Sequence, residues 1–169
     1  EYYRTVGTED LGVYTFYSMR ETGNGLLIAG GGTDNQIAIL MNVEADGEEI
    51  WASAYHPQDG GASQANFRSI ISYKDGFAMV GENVREVPDG YFSWYWFVMV
   101  NADGGEIWNR SIEIGDLLGR QKKILYSLTE SADGGLIGVG NGHPEADDGV
   151  VLKINKLCEL QWFKSYPFV

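Results

Sequence analysis

The chain has 169 residues, of which 44% are apolar and 13% aromatic, so its composition supports a folded core and excludes a disordered chain. Its formal net charge of −12 disfavours nucleic acid and anionic membranes as partners, because their negative surfaces repel an acidic protein. The single cysteine, Cys158, excludes an intramolecular disulfide and a metal site built from several thiolates.

From residue 14 onwards, runs of β-branched and aromatic residues alternate with turns of Gly, Asp and Asn, which predicts β-strands. We label the strands of each successive group of four A to D in chain order. The first group lies at 14–20, 25–30, 36–43 and 49–55. The second group lies at 67–73, 76–80, 94–100 and 106–112. The third group lies at 124–129, 135–139, 149–154 and 159–166.

Two landmarks recur in the same order in every group, which indicates an internal repeat. One is an apolar segment closed by glycines, at 25–30, 76–81 and 135–140. The other is a turn followed four residues later by a tryptophan, at Trp51, Trp108 and Trp162. The first two of these turns read Ala-Asp-Gly, whereas the third reads Lys156-Leu157-Cys158, and we expect a looser turn there.

Strands B and C are apolar on both faces, whereas a sheet with one solvated face should alternate apolar and polar residues. Burial on both faces is typical of propeller blades that stack around an axis. We therefore predict an all-β chain, a β-propeller with three four-stranded blades at about 11–60, 64–115 and 121–169 of one domain. Residues 2–6 match strand D of the later copies, which predicts one extra N-terminal strand.

The repeat resembles those of secreted prokaryotic β-propeller proteins, in particular the quinoprotein-like and delta-60 groups. The resemblance lies in the Asp-Gly-Gly turn, the apolar strand closed by Gly, and the later Ala-Asp-Gly turn with its tryptophan. It implies a propeller and a secreted, extracellular or cell-surface location. It implies no particular activity, because one fold supports many functions.

Three blades are too few for a closed propeller, which usually has 4–8. Either the chain is part of a longer propeller, with further blades in the same polypeptide, or copies associate as a homo-oligomer. The strand at 2–6 could also add to a neighbour's sheet edge. An open arc would expose large apolar faces, so we predict that the chain is not a stable monomer.

The loops between strands B and C differ in length and chemistry among the copies, and the longest of them spans 82–93 in the second copy. Variable loops on a rigid scaffold commonly carry binding sites. We therefore predict a ligand site at Arg85, Asp89, Tyr91 and Trp94, where aromatic rings could stack on sugars or contact a protein. The alternative is that Trp94 fills a contact between blades.

Calcium is the one cofactor that the sequence suggests, because carboxylates supply the oxygen ligands that this ion prefers. Asp147 and Asp148 are the predicted ligands, although no stretch has the spacing of a dedicated calcium loop. His56 and His143 belong to different blades and do not indicate a zinc site. Asn109-Arg110-Ser111 is a glycosylation sequon, which makes Asn109 a candidate acceptor.

These observations favour a non-enzymatic extracellular module for self-assembly or protein binding. We found no serine or cysteine nucleophile motif and no phosphate-binding loop, so the chain is not expected to be an enzyme. No apolar run approaches the ~20 residues of a membrane span. The alternatives are a lectin-like, carbohydrate-binding propeller and a fragment of a larger propeller enzyme whose catalytic residues lie on other blades.

Overall fold

The computed structural model describes residues 14–32, 36–58, 61–114, 118–119, 123–142 and 149–167. The described residues form β-strands and turns. The strands, in chain order, are β1 (Tyr14–Thr22), β2 (Gly25–Gly32), β3 (Ala38–Glu44), β4 (Glu49–Tyr55), β5 (Gln64–Tyr73), β6 (Gly76–Val87), β7 (Gly90–Asn101), β8 (Glu106–Ile112), β9 (Leu118–Gly119), β10 (Ile124–Glu130), β11 (Leu136–Asn141), β12 (Gly149–Ile154) and β13 (Leu160–Tyr166). The extra strand predicted at 2–6 lies outside the described residues.

The strands form three antiparallel sheets, each with its four main strands in chain order. Sheet 1 contains β1 to β4, sheet 2 contains β5 to β8, and sheet 3 contains β10 to β13. The short strand β9 pairs with β7 at the edge of sheet 2. The all-β class and the division into three groups of four strands are therefore confirmed.

Two apolar cores lie between the sheets, and strand β7 contributes to both because its side chains alternate between its two faces. The first inter-sheet core joins sheets 1 and 2, and the residues of β7 that enter it are Trp96, Val98 and Val100. The second inter-sheet core joins sheets 2 and 3, and the residues of β7 that enter it are Tyr95, Phe97 and Met99. This position between two layers explains why the strand is apolar on both faces.

The turn between the third and fourth strands has the same hydrogen bonds in all three sheets. In each, an amide donates back to a carbonyl three residues earlier, at 2.9–3.1 Å: Gly47 to Glu44, Gly104 to Asn101 and Cys158 to Asn155. Cys158 has a φ of 62°, in the left-handed region that Gly47 and Gly104 also occupy. The looser turn predicted at Cys158 is therefore wrong, because a non-glycine residue adopts the same backbone conformation there.

Aromatic side chains at the end of sheet 1 contact this turn in sheet 2. A Cβ atom placed on Gly104 would lie 2.7 Å from the ring of Trp51, so only glycine leaves room for the indole. Tyr55 Oη donates a hydrogen bond of 2.5 Å to the carbonyl oxygen of Gly104. Burial raises the pKa of Tyr55 to about 12, because the charged phenolate would lose its hydration between the sheets.

The predicted loop at 82–93 is wrong. Strands β6 and β7 continue their pairing through this segment as a hairpin that narrows to the Val87–Gly90 pair, with Pro88 and Asp89 in the turn. The polar residues that suggested a loop, such as Arg85 and Glu86, occupy exposed strand positions. The hairpin is also anchored by the side chain of Ser63, whose Oγ accepts a 2.7 Å hydrogen bond from the Glu86 amide.

We expect Cys158→Gly to be more stable than Cys158→Ala by about 1 kcal/mol, because glycine relieves the left-handed strain that alanine keeps. Urea denaturation of both variants would measure this difference. Ser72, an exposed residue of strand β5, is the matched control. There Ser72→Ala should be the more stable by roughly 0.5–1 kcal/mol, since glycine is costly in a strand interior. If glycine were more stable than alanine at both positions, or alanine more stable than glycine at both, the left-handed geometry of the Cys158 turn would be contradicted.

Candidate functional site

The four predicted ligand-binding residues lie on one hairpin but do not form one cluster. Arg85 pairs with Phe92, and Trp94 with Asn83, so Arg85 and Trp94 share one face of the hairpin. Tyr91 points to the opposite face, and Asp89 is exposed in the turn. Adjacent residues of a strand point to opposite faces of the sheet. The interpretation of this segment as a loop did not take that alternation into account.

Arg85, Phe92 and Trp94 form a small aromatic and cationic patch. The rings of Phe92 and Trp94 have centroids 6.4 Å apart and an interplanar angle of 30°. Both rings are half-buried, whereas Arg85 is exposed and its guanidinium lies beside Gly61. The patch is on the side of sheet 2 that faces sheet 1, because Trp94 shares the face of Trp96. Partial burial leaves only part of each ring available to a ligand.

The opposite face of the hairpin packs towards sheet 3. Ser93 Oγ accepts a 2.7 Å hydrogen bond from the amide of Lys123, a residue that is 3% exposed. Tyr95, two residues along this face, is fully buried and donates a 3.4 Å hydrogen bond to the carbonyl oxygen of Gly142. Burial raises the pKa of Tyr95 above its ordinary value. The face that carries Tyr91 therefore contributes to the contact between sheets 2 and 3.

The structure argues against glycosylation of Asn109 in the folded protein. Asn109 is 1% exposed, and its Oδ1 accepts a 2.7 Å hydrogen bond from Trp96 Nε1. Its Nδ2, the atom that would carry a glycan, donates to the His56 carbonyl oxygen at 2.8 Å and to a Glu106 carboxylate oxygen at 3.0 Å. A glycan there would displace both bonds, so Asn109 has a structural role that the sequon did not indicate.

A buried carboxylate, Glu82, forms a cluster that the sequence did not reveal. Glu82 is 2% exposed, and its Oε1 accepts hydrogen bonds from Arg68 Nη2 at 2.6 Å and from Asn66 Nδ2 at 3.0 Å. The Arg68 guanidinium also stacks on Tyr17 of sheet 1, 3.9 Å from the ring centroid. These contacts tie the first strands of sheets 1 and 2 together and pair the buried charge, as buried charges require.

The predicted calcium ligands Asp147 and Asp148 lie outside the described residues, as does His143. His56 is described and exposed, beside a shallow cavity of about 160 Å³ that Gln36, Pro57 and Ala62 also line. Among the described residues, no group of three or more His, Cys, Asp or Glu side chains is arranged to hold a metal ion. Calcium binding stays a prediction.

The outer face of sheet 3, opposite the second inter-sheet core, carries apolar side chains that solvent reaches. We define this face by Ile137, Val139, Val151, Trp162 and Tyr166, which share it because cross-strand partners lie on one side of a sheet. Val139 is 40% exposed, Trp162 39% and Tyr166 55%. The sequence placed these residues in strands but did not show that their face is uncovered.

No protein-family model matches the chain, and no curated protein is significantly similar to it. None of the described residues belongs to a helix long and apolar enough to cross a membrane. The function must therefore be inferred from the surfaces and side chains described above.

We expect Asn109→Ala to lower the free energy of unfolding by about 2–3 kcal/mol, because it leaves Trp96 Nε1 buried without a partner and also removes the bond to the His56 carbonyl oxygen. Urea denaturation followed by tryptophan fluorescence would measure this loss. Ser111→Ala is the control, since it also destroys the sequon but removes only the 3.0 Å bond from Asn83 Nδ2 to Ser111 Oγ. Its expected cost is about 1 kcal/mol. Equal costs would contradict the structural role of Asn109.

Proposed function

We propose that the chain is a secreted, non-enzymatic β-propeller module that acts by association, through self-assembly or protein binding. The observation that carries this proposal is the outer face of sheet 3. Its Trp162 occupies the repeat position that in sheet 1 belongs to Trp51, the residue that packs on sheet 2. Sheets 1 and 2 are joined through a face of this type, and on sheet 3 the same kind of face is open to a partner.

The sheet arrangement supports the propeller interpretation. Each sheet has its strands in chain order, and sheets that are neighbours in sequence pack on each other through an apolar core. Sheet 2 is buried on both faces, as a blade within a propeller is. Because closed propellers usually need 4–8 blades, three sheets leave an arc that association would extend or complete.

The chemistry of the described polar groups supports a role other than catalysis. Cys158 is 4% exposed, and burial raises its pKa to about 12, so a nucleophilic thiolate does not form at neutral pH. The buried carboxylate of Glu82 is already paired with Arg68. The secreted location rests on the repeat resemblance alone.

We expect the chain to associate in solution, and Val139→Asp to weaken this association by placing a charge on the outer face of sheet 3. Size-exclusion chromatography with light scattering, over a range of protein concentrations, would measure the mass. Ile107→Asp is the matched control, because Ile107 is 54% exposed but lies on strand β8 of sheet 2.

If Ile107→Asp reduced association as much as Val139→Asp, exposed apolar residues would contribute to association regardless of their position in the fold. A wild-type mass of 18.7 kDa at all concentrations would reject self-assembly, and binding to another protein would be the only form of association left.

Carbohydrate binding is a second candidate, favoured by the half-buried Phe92 and Trp94 pair beside the exposed Arg85. Aromatic faces next to a polar donor are a common platform for sugar rings. On a glycan array, Trp94→Ala should abolish any signal of the wild type. Tyr126→Ala, which removes a 50% exposed aromatic residue of sheet 3, should leave that signal unchanged. Absence of a wild-type signal would reject this candidate.

A further inference from the structure

We propose that the hairpin of β6 and β7 binds an acidic sugar, whose carboxylate is held by Arg85 at the cavity beside His56 and whose ring packs on Phe92 and Trp94. This inference rests on the carbohydrate-binding candidate and names the class of sugar that it would take. The position of Arg85, the walls of the cavity and the charge around them all point to a carboxylate.

Arg85 lies between the aromatic pair and the cavity. It is the cross-strand partner of Phe92, so the two side chains leave the hairpin on the same face. Its guanidinium carbon and its Nε lie 3.9 Å from the position that a Cβ of Gly61 would occupy, and Gly61 lines the cavity. One cation therefore adjoins both a stacked pair of rings and a recess with polar walls.

The cavity lies where the ends of two strands of sheet 1 meet the segment that leads into β5. Ala38 and Tyr55 form the last pair of strands β3 and β4. Just beyond this pair, Gln36 and His56 form part of the cavity wall. They bring an amide and an imidazole to the recess, and both groups can donate hydrogen bonds to an anion.

The wall that contains His56 is held by buried hydrogen bonds. The carbonyl oxygen of His56 accepts a 2.8 Å bond from Asn109 Nδ2, and Asn109 Oδ1 accepts a 2.7 Å bond from Trp96 Nε1. The side chains of Asn109 and Trp96 are both buried. Pro57 follows His56 and restricts the backbone further, because its ring fixes φ.

The opposite wall is held against the hairpin by Ser63. The Ser63 amide donates a 2.7 Å hydrogen bond to the carbonyl oxygen of Val84, and Ser63 Oγ accepts a 2.7 Å bond from the Glu86 amide. These two bonds fall on either side of Arg85 in the chain, so they fix Gly61 and Arg85 relative to each other. A site that is formed in advance binds its ligand with a smaller loss of conformational freedom.

The carboxylates of the hairpin strands do not neutralise Arg85. Glu86 points to the opposite face, because adjacent strand residues alternate, and it accepts a 3.0 Å hydrogen bond from Gln64 Nε2. Among the described residues, no carboxylate forms an ion pair with Arg85, in contrast to Arg68, which is paired with Glu82. An arginine in this state can bind a carboxylate through two parallel hydrogen bonds.

The net charge of −12 opposes an anionic ligand mainly at long range. At physiological ionic strength, exposed charges more than about 8–10 Å apart are largely screened from each other, whereas a carboxylate in contact with a guanidinium is not. Contact with Arg85 therefore outweighs the repulsion for a small ligand with one or two charges. A long polyanion extends over the acidic surface and stays disfavoured.

The size of the cavity and the adjacent rings favour a sugar over a free anion or an acidic peptide. At about 160 Å³ the cavity is smaller than the roughly 300–1,000 Å³ of pockets that enclose a whole small molecule, so it takes one group of the ligand. The remainder lies along the hairpin, where Phe92 and Trp94 present half-buried rings. A sugar ring with a carboxylate offers an apolar face to these rings and a charge to Arg85.

Calorimetric titration with sialyllactose and with digalacturonate tests this site, each beside its methyl ester, which keeps the rings and removes the charge. We expect the wild-type chain to bind at least one acid at least about 10-fold more tightly than its ester. Arg85→Gln should remove this difference, and Trp94→Ala should weaken the binding of acid and ester alike. Arg20→Gln removes an exposed arginine of strand β1 and is the matched control, which should change neither.

Gly61→Asn tests the cavity while Arg85 is kept. Gly61 has a φ of 69°, which asparagine tolerates, and of the described atoms only those of Arg85 lie within 4 Å of its Cβ position. The added amide would occupy the recess, so we expect the acids to bind at least about 10-fold more weakly. The matched control is Gly134→Asn, in a turn of sheet 3 with a φ of 76° and no described atom within 4 Å.

Urea midpoints establish that all variants fold. Esters that bind as tightly as the acids would overturn recognition of the charge, and so would an acid preference that persists in Arg85→Gln. Full binding by Gly61→Asn would overturn the cavity as the site of the carboxylate. A hexaglutamate peptide that binds as tightly as the acidic sugars would overturn the choice of a sugar.

If the wild-type chain binds neither acid, the acidic-sugar site is overturned. A neutral glycan that binds on the array would then still support the carbohydrate-binding candidate. Absence of any signal on the array as well would reject both, and association through the outer face of sheet 3 would stand independently.

Discussion

Burial of sheet 2 on both faces is the constraint on which the rest of the structure depends. A strand such as β7 must place large side chains alternately into two cores, so nearly every position from 95 to 100 is apolar. Such a strand has no solvent face of its own, and it is stable only if a sheet covers each side. The first and third sheets are therefore required by the sequence of the second.

Glycine and aromatic residues set the distance and the register between neighbouring sheets. The indole of Trp51 packs directly on the backbone of Gly104, and the hydroxyl of Tyr73 bonds the carbonyl oxygen of Gly134 at 2.6 Å. Both contacts use backbone atoms of a turn, which have fixed positions once the turn has formed. A sheet that slipped by one residue relative to its neighbour would lose the contact of this kind at that interface.

The sequence predicted the strands well because alternation and turn residues are local signals. It failed at 82–93, where exposed polar residues of a hairpin look like a loop, and it therefore grouped Tyr91 with Trp94 although they occupy opposite faces. Glu82 and Arg68 pair across neighbouring strands, a relation that depends on register and that one sequence does not reveal. The sequon at Asn109 was visible, but its burial depends on tertiary contacts.

The position of Cys158 has a consequence for the environments in which this protein can persist. Its thiol is shielded from solvent, and its raised pKa suppresses the thiolate, the form that reacts with oxidants and attacks disulfides. A free thiol on the surface of an extracellular protein invites mixed disulfides and covalent aggregation. By packing the sulfur into the core between sheets 2 and 3, the chain keeps its cysteine away from oxidants in the solvent.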